Sequence, residues 1–240
     1  MTIDTLSFGD DFSLDAYLAT AKRWLEAAFA EQVSEGASVP TSLHEAMTYS
    51  LMAGGKRLRP ILVLAGAEAV GGKRQDVLEA AIALECIHTY SLIHDDLPAM
   101  DDDDLRRGKP TSHKVYGEAM AILAGDALLT RAFELLTCAP LVERVGAAAA
   151  LDVAREVALA SGAAGMVGGQ VVDIEAEGTP INVQGLQHLH GLKTGALIRV
   201  AVCSGGRLAG ATDTQMTALK AYGEALGLGF QIVDDILDVT

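Results

Sequence analysis

The sequence contains two clusters of aspartate residues whose spacing suits metal binding. The first cluster comprises Asp95, Asp96 and residues 101–104, and six carboxylates within ten residues repel one another unless cations lie between them. The second cluster places Asp234 and Asp238 four residues apart, on one face of a predicted helix. Oxygen ligands without cysteine or paired histidine suit Mg²⁺ or Ca²⁺ rather than zinc or iron. The two clusters together predict a cage for several divalent cations, whereas the first cluster alone is equally compatible with a solvated acidic loop.

The first cluster follows an apolar helix that is expected to lie inside the protein. The helix predicted over residues 76–97 is apolar on nearly every side, and its last turn carries Asp95 and Asp96. Because the helix dipole disfavours anions at that end, a cationic partner is expected there. Pro98 cannot continue a regular helix, so we expect a bulge or break that brings Asp101 back towards Asp95.

Three groups of basic residues occur in a chain that carries a net charge of −14. They are Lys56 with Arg57 and Arg59, Arg106 with Arg107, and Lys193 next to Thr194. Arginine and lysine beside metal-binding carboxylates are typical of a diphosphate site, in which metal ions bridge the carboxylates to ligand oxygens. A P-loop is excluded, because Gly71-Gly72-Lys73 is followed by Arg74 instead of serine or threonine.

The overall charge and the cysteine pattern limit the partners and the compartment. With 18 basic and 32 acidic residues, the chain lacks the basic surface that nucleic acids require and is repelled by anionic membranes. Acidic residues interrupt each apolar run before it reaches the roughly 18 residues of a membrane span. The three cysteines lie far apart and form no CxxC pair. We therefore expect a cytoplasmic protein with no nucleic-acid partner and no stable membrane insertion.

Composition and periodicity predict an all-α protein. Half of the residues are hydrophobic, 5% are aromatic, and apolar residues recur at helical spacing along most of the chain. Asp76 and Glu79, three residues apart, predict a capping box at the start of the fourth helix. Since no repeat or linker divides the sequence, we expect one large helical bundle over residues 1–240. The predicted helices cover residues 13–34, 42–53, 58–70, 76–97, 114–138, 141–161, 163–176, 184–208 and 213–240.

Six short motifs carry the residues introduced above. They are Gly-Gly-Lys-Arg-Leu-Arg-Pro (54–60), Asp-Asp-Leu-Pro-Ala-Met-Asp (95–101), Arg-Arg-Gly-Lys-Pro-Thr (106–111), Gly-Gly-Gln-Val-Val-Asp (168–173), Lys-Thr (193–194) and Asp-Asp-Ile-Leu-Asp (234–238). In this order and combination, they resemble the motifs of the trans-prenyltransferases, the polyprenyl synthetase family. They are most similar to those of bacterial farnesyl and geranylgeranyl diphosphate synthases, and the resemblance runs through most of the chain.

The resemblance implies a fold, a reaction and an assembly. The fold would be a single helical bundle of the isoprenoid synthase type with a central cavity, forming a homodimer. The reaction would be the Mg²⁺-dependent head-to-tail condensation of isopentenyl diphosphate with dimethylallyl or geranyl diphosphate, yielding farnesyl diphosphate and diphosphate. Geranylgeranyl diphosphate is the alternative product. Family members continue beyond the second aspartate motif, so the resemblance also implies that residues 1–240 lack a C-terminal lid segment.

The same resemblance implies roles for individual residues. Lys193 and Thr194 would be catalytic, beside the allylic carbon–oxygen bond that breaks. Three Mg²⁺ ions would be held by Asp95, Asp101 and Asp234, with Asp238 acting through water. The allylic substrate would contact Arg106, Lys193, Thr194 and Gln231. The diphosphate of isopentenyl diphosphate would contact Lys56, Arg59, His88 and Arg107.

Product length is predicted from the residues one turn before the first aspartate cluster. Ser91 and Tyr90 lie four and five residues before Asp95, which places them about 6–7 Å deeper along the helix. A bulky tyrosine at that depth is expected to close the groove after about three isoprene units. Within the family that the sequence resembles, an aromatic residue here accompanies farnesyl products.

Other classes of protein share some of these motifs. A terpene cyclase would need no second diphosphate site, and Lys56, Arg59 and Arg107 speak against that class. A non-catalytic prenyltransferase subunit typically lacks one aspartate motif, whereas both are present here. Gln170 and Asp173 match a motif that faces the cavity, although helix packing around the neighbouring glycines explains them equally well.

Overall fold

Helices form nearly all of the regular structure in the computed structural model of this protein, which describes residues 12–33, 39–176 and 182–238. The α-helices are α1 (Leu14–Val33), α2 (Thr41–Leu51), α3 (Leu58–Glu68), α4 (Leu78–Asp95), α5 (Ser112–Tyr116), α6 (Glu118–Leu136), α7 (Ala139–Val145), α8 (Ala147–Ser161), α9 (Met166–Ala176), α10 (Val183–His190), α11 (Ala196–Leu208) and α12 (Asp213–Asp238). A 3₁₀ turn covers Arg74–Val77, and a π-helical turn, Gly191–Gly195, joins α10 to α11. Strands β1 (Leu105–Arg106) and β2 (Lys109–Pro110) pair antiparallel. The predicted all-α class is confirmed.

Two of the predicted helices are each divided into two. The helix predicted over 114–138 is α5 and α6, which meet at Gly117, and the helix predicted over 141–161 is α7 and α8, which meet at Gly146. Both glycines have a positive φ, of 83° and 85°, a backbone conformation that glycine adopts without steric cost. Helical periodicity does not reveal such single-residue breaks, because the apolar pattern resumes on the other side.

The capping box predicted at the fourth helix is wrong. Helix α4 begins at Leu78 after the 3₁₀ turn, and its N-cap, Val77, provides no side-chain hydrogen bond. The Glu79 carboxylate instead accepts a hydrogen bond from the Arg144 guanidinium of α7. The acidic side chain is therefore used for a long-range ion pair instead of a local cap.

Helix α4 lies at the centre of the bundle. It packs against α3, α6 and α11, and apolar side chains such as Ile82, Leu84 and Ile87 have no solvent exposure. This confirms that the helix lies inside the protein, as its apolar sequence predicted, and apart from Leu78 its half-buried residues all lie in its C-terminal half. Its last residue, Asp95, is thereby carried to the end of the apolar core.

Helices α3 and α11 approach each other at backbone contact distance. A side chain at Gly66 would overlap the carbonyl oxygen of Val202, and one at Gly205 would overlap that of Val63. Glycine is therefore required on both helices where they cross. This contact joins α3, which begins next to the basic motif, to α11, which continues from the π-helical turn.

Replacing Gly205 with alanine should lower the free energy of unfolding by about 1–3 kcal/mol, because the new methyl group has no space. The matched control is Gly229→Ala in α12, where no atom lies within 4 Å of the added Cβ. There, alanine should be neutral or stabilising by up to about 1 kcal/mol, because glycine is a poor helix former. Denaturant unfolding of both variants measures the difference, and equal stabilities would contradict the close packing of α3 and α11.

One segment meets a length-and-composition test for a membrane span. Residues 147–176 include an 18-residue window with a mean hydropathy of 1.4, of which 33% is buried. Its longest run without a charged residue covers 157–172, between Glu156 and Asp173, so acidic residues interrupt this segment as expected. The backbone also breaks after Ser161, into α8 and α9 of 15 and 11 residues, each shorter than the roughly 20 residues that a spanning helix needs.

Candidate active site

A cavity of about 390 Å³ lies beside the C-terminal half of α4, between that helix, α3, α9 and the π-helical turn. Five of the predicted site residues line it together: Arg59, His88, Asp95, Lys193 and Thr194. The rest of the wall is largely apolar and includes Tyr90, Leu92, Met100, Met166, Val167, Val171 and Ile174. The cavity therefore combines charged groups with an apolar surface.

The backbone after α4 turns back on itself and brings two aspartates together. The backbone N–H of Asp101 donates a hydrogen bond to the carbonyl oxygen of Asp95 over 2.9 Å, and that of Asp102 donates to Leu97 over 3.1 Å. Pro98 lies inside this turn, so its predicted effect on the helix is confirmed. The turn places Asp101 close enough to Asp95 for their carboxylates to repel each other.

Burial and the neighbouring charges both change the pKa of the Asp95 carboxyl group. Its pKa is raised to about 6, mainly because the carboxyl is buried, while repulsion by Asp101 and Asp96 also raises the pKa and attraction by Lys193 and Arg106 lowers it. The carboxylate is thus poorly solvated and only partly neutralised by the protein. A hard divalent cation would supply the missing positive charge, and carboxylate oxygens are ligands that Mg²⁺ prefers. Asp95 and Asp101 therefore fit the predicted metal.

Replacing Asp95 with asparagine should stabilise the chelator-treated protein by about 1–3 kcal/mol near pH 7.5, because the raised pKa measures a cost of keeping the charge. The folded pKa lies above the unfolded one, so the native protein gains stability as the pH falls through about 6 to about 4. Over that window the advantage of asparagine should disappear. Denaturant midpoints at both ends of the window test this, with Asp152→Asn on the exposed face of α8 as the control. An Asp95→Asn protein no more stable than the unsubstituted protein at pH 7.5 would contradict the prediction.

Lys193 and Thr194 lie in the π-helical turn. π-helical turns are rare and often occur at functional sites. The Lys193 ammonium donates a hydrogen bond to the Asp173 carboxylate of α9 over 2.5 Å. Helix α9 comes this close because Gly169 has no side chain, and a Cβ there would overlap the Lys193 backbone. The motif at 168–173 therefore does face the site, with Gln170 in the cavity wall and Asp173 holding Lys193.

The basic motif at 54–60 contacts the second arginine of the 106–111 motif, and of these residues Arg59 lines the cavity. The Arg107 guanidinium donates to the Gly54 carbonyl oxygen and lies where a side chain at Gly55 would stand. Lys56 is exposed, and its ammonium lies 5.8 Å from the centre of the Phe230 ring of α12. Arg59 and Arg107 are also among the charges that act on His88, so these two arginines form one electropositive group, and Lys56 belongs to the same motif as Arg59.

His88 belongs to this group as a neutral side chain. Its pKa lies well below the usual value of a histidine, first because the ring is buried and then because it is surrounded by Arg59, Arg107, Arg106 and Arg57. The imidazole therefore offers a hydrogen bond to a ligand without adding a further positive charge.

Arg106 pairs with carboxylates in this structure. Its Nε donates to Asp96 over 2.6 Å, and its Nη2 lies 3.3 Å from Asp103. Asp96 is buried, so this arginine also stabilises the turn that carries Asp101. Arg106 was predicted to contact the allylic substrate, and it is not part of the cavity wall among the described residues.

The second aspartate cluster is only partly described. Gln231 is buried in α12, and the backbones of Asp234 and Asp238 continue that helix. The side chains of Asp234 and Asp238 lie outside the described part of the molecule. The prediction that they face the first cluster therefore stays a prediction.

The approach of His113 to two members of the first aspartate cluster was not predicted. Possible ligand atoms of Asp102, Asp104 and His113 lie within 4.8 Å of one another. The Asp104 carboxylate already pairs with the Lys114 ammonium at 2.6 Å. Lysine therefore neutralises part of this cluster, whose two aspartates are exposed, whereas Asp95 is half-buried.

Sequence reasoning also missed the partner of Arg57. This arginine was grouped with the ligand-binding residues of its motif, but its guanidinium is buried against Glu85 of α4. The available signal was Glu85 itself, a carboxylate in the middle of a helix that is otherwise apolar on all sides. A buried acid of this kind requires a cation nearby.

The chain matches the family model described as polyprenyl synthetase over residues 40–240. It is 48% identical over 229 residues to the farnesyl diphosphate synthase of Bacillus subtilis (strain 168), covering 94% of this chain and 76% of that protein. It is 52% identical over 204 residues to the large subunit 1 of the chloroplastic heterodimeric geranylgeranyl pyrophosphate synthase of Arabidopsis thaliana, covering 84% of this chain and 55% of that protein. The chain thus spans about half the length of the second relative and three quarters of the first.

Solved structures show the same likeness at the level of the fold. An apo crystal structure of an FPP/GFPP synthase from Zymomonas mobilis matches with a TM-score of 0.88 and 41% identity, over 94% of this chain and 81% of that chain. A geranyltransferase from Legionella pneumophila matches with a TM-score of 0.87 and 38% identity, over 93% of this chain and 79% of that chain.

Proposed function

Because the chain belongs to the polyprenyl synthetase family, we propose that it condenses isopentenyl diphosphate head-to-tail with dimethylallyl or geranyl diphosphate, forming farnesyl diphosphate and releasing diphosphate. The observation that carries this proposal is the cavity itself. Asp95, Lys193 and Thr194 share it with a predominantly apolar wall, as a substrate with a charged head and a hydrocarbon tail requires.

The proposal includes Mg²⁺ as the metal, held by Asp95 and Asp101 on one side and by Asp234 and Asp238 of α12 on the other. We also propose that each site binds three Mg²⁺ ions. When bound, Mg²⁺ would stabilise the negative charge of the departing diphosphate. The partial charge balance at Asp95, whose burial raises its pKa, supports a cation at this position.

Lys193 and Thr194 are the residues proposed to act on the allylic carbon–oxygen bond. The Lys193 ammonium is held by Asp173 and lies close enough to Asp95 to influence its charge. It would stabilise negative charge as the bond ionises, and the Thr194 hydroxyl would donate a hydrogen bond to the same diphosphate. Arg106 and Gln231 would complete the allylic site. To contact the ligand, Arg106 would give up part of its interaction with Asp96 and Asp103.

The second diphosphate, that of isopentenyl diphosphate, would bind the electropositive group formed by Arg59 and Arg107, together with Lys56. Neutral His88 would contribute a hydrogen bond there. The double bond of isopentenyl diphosphate then captures the allylic carbocation, and the resulting cation loses a proton to the released diphosphate. The apolar wall excludes water, which would otherwise capture the carbocation.

The product is proposed to be C15, because Tyr90 lines the cavity and its ring would close the apolar part. Its side chain is only 6% exposed, and its ring packs edge-on against His94 with 5.7 Å between centres. Geranylgeranyl diphosphate is the second candidate, and the small neighbour Ser91 in the same wall is the feature that favours it.

Radiolabelled isopentenyl diphosphate with Mg²⁺ tests the proposal directly. Dimethylallyl and geranyl diphosphates are offered separately, and the dephosphorylated products are sized by chromatography. A C15 product that disappears with a chelator is expected from both primers. A C20 product would favour the second candidate, and no condensation from either primer would overturn the proposed activity.

The proposal extends to a cytoplasmic homodimer with no nucleic-acid partner and no stable membrane insertion. The net charge of −14 and the free cysteines Cys86, Cys138 and Cys203 support the compartment. Light scattering coupled to size-exclusion chromatography tests the assembly, and a monomer at micromolar concentration would contradict it.

A further inference from the structure

The basic motif at 54–60 contains one residue that points away from the cavity. Arg57 is 3% exposed, whereas Lys56 on one side of it is exposed and Arg59 on the other lines the cavity. We propose that Arg57 and Glu85 are positioning residues for the isopentenyl diphosphate site, where their buried ion pair fixes the backbone from which Lys56 and Arg59 reach the ligand. This inference rests on the proposed function.

The ion pair joins the motif to three helices. One guanidinium nitrogen of Arg57 lies 2.7 Å from the Glu85 carboxylate of α4, and another donates to the Leu51 carbonyl oxygen of α2 over 2.7 Å. The guanidinium also lies 5.1 Å from the centre of the Phe29 ring of α1. The Glu26 carboxylate of α1 lies farther away, at 3.9 Å. Arg57 is therefore held by side chains or backbone of three helices.

The backbone of Arg57 needs this support. Its φ is 54°, in the left-handed region that costs a residue with a side chain roughly 1–2 kcal/mol. The same residue is the N-cap of α3, and its carbonyl oxygen accepts a hydrogen bond from Ile61 over 3.1 Å. The conformation of Arg57 therefore sets the position of the neighbouring Lys56. It also sets the start of α3, the helix that carries Arg59.

Glu85 also acts on the charge of the site. It is 2% exposed, and it attracts Arg107 as well as Arg57. Arg57, Arg59, Arg106 and Arg107 all act on His88, so the group carries several positive charges before any ligand arrives. A buried carboxylate next to the group lowers the mutual repulsion of these arginines.

The test compares two buried ion pairs. Glu85→Gln preserves the shape of the side chain and removes its charge, and Glu68→Gln does the same to the pair of Glu68 with Arg74. That control pair is also short, at 2.5 Å, and its residues do not line the cavity. The full chain is assayed with Mg²⁺, and the KM of each substrate is measured separately along with kcat.

We expect Glu85→Gln to raise the KM of isopentenyl diphosphate by about 10-fold to 100-fold, because small displacements of a positioned group have effects of this size. The KM of the allylic diphosphate should change less than about twofold, and Glu68→Gln should lower the unfolding midpoint without changing either KM. Arg57→Lys keeps the charge but loses the planar fork that contacts the Glu85 carboxylate and the Leu51 carbonyl oxygen with two separate nitrogens, so it should give an intermediate KM.

Two results would overturn the inference. One is a KM of isopentenyl diphosphate within twofold of the unsubstituted protein in both Glu85→Gln and Arg57→Lys. The other is an equal rise in the KM of both substrates, which would indicate a general loss of structure. If Glu85→Gln does not fold, Arg57→Lys is judged by the same criteria.

Failure of the proposed function is recognised separately. It shows as absence of condensation by the unsubstituted protein, not as a difference between variants. In that case, calorimetric binding of isopentenyl diphosphate replaces KM, and a dissociation constant unchanged in both variants overturns the positioning role.

Discussion

Replacing Lys193 with alanine should lower kcat by about 10²–10³-fold, the effect of removing one preorganised charge from a transition state. Lys193 lines the cavity next to Asp95, and its ammonium is held in place by Asp173 instead of moving freely in solvent. A positioned charge of this kind acts on the departing diphosphate more than on the bound substrate. We therefore expect kcat to fall further than the KM of the allylic diphosphate rises.

Two variants separate the loss of this charge from other effects. Lys193→Arg keeps the charge and should retain more activity than alanine. Lys220→Ala removes an exposed lysine of α12 that lines a different groove, between α8, α11 and α12, and should leave kcat within twofold. Steady-state kinetics with both substrates at saturation provide the measurement. A kcat in Lys193→Ala within tenfold of the unsubstituted protein would remove Lys193 from the catalytic residues.

Replacing Tyr90 with alanine should lengthen the product from C15 to C20 or longer. The tyrosine lies in the cavity wall five residues before Asp95, which corresponds to about 7 Å along α4. Removing its ring opens the space below the charged groups, and the allylic product can then bind again and accept another isoprene unit. We expect the C20 to C15 ratio to rise by more than about tenfold, since the ring is a steric barrier with no other role in the reaction.

The controls for this prediction distinguish size from polarity and from stability. Tyr90→Phe keeps the ring and should still give C15, whereas Tyr222→Ala removes an exposed tyrosine of α12 and should change nothing. The buried substitution is expected to cost about 3–5 kcal/mol of stability, so products are measured well below the unfolding midpoint. Unchanged C15 output from a folded Tyr90→Ala protein would contradict the steric explanation.

Much of the fold and part of the site could be predicted because local chemistry determines them. The apolar sequence of α4 requires a position inside the protein, and Pro98 requires the break that joins Asp101 to Asp95. Other features depend on residues distant in sequence. The pairing of Arg57 with Glu85 spans 28 residues and appears only once α3 and α4 are packed together. Breaks such as that at Gly117 depend on a single backbone angle, which periodicity does not encode.

The contact between the glycines at the crossing of α3 and α11 could also not be predicted from the sequence. Gly66 and Gly205 each look like an unfavourable residue inside a helix, at a cost of about 1 kcal/mol relative to alanine. Only the close approach of the two backbones explains them. The same holds for Gly169, where glycine is required because the backbone of Lys193 leaves no space for a side chain.

The π-helical turn at Gly191–Gly195 changes the directions in which the side chains of α10 and α11 point relative to each other. A π turn closes its hydrogen bonds five residues apart instead of four, so it contains one residue more than an α turn. Each residue of an α-helix advances the side-chain direction by about 100°. Relative to one uninterrupted α-helix, the side chains of α11 are therefore rotated about the helix axis by about 100° with respect to those of α10. A single additional backbone unit thus determines the direction in which Lys193 and Thr194 point.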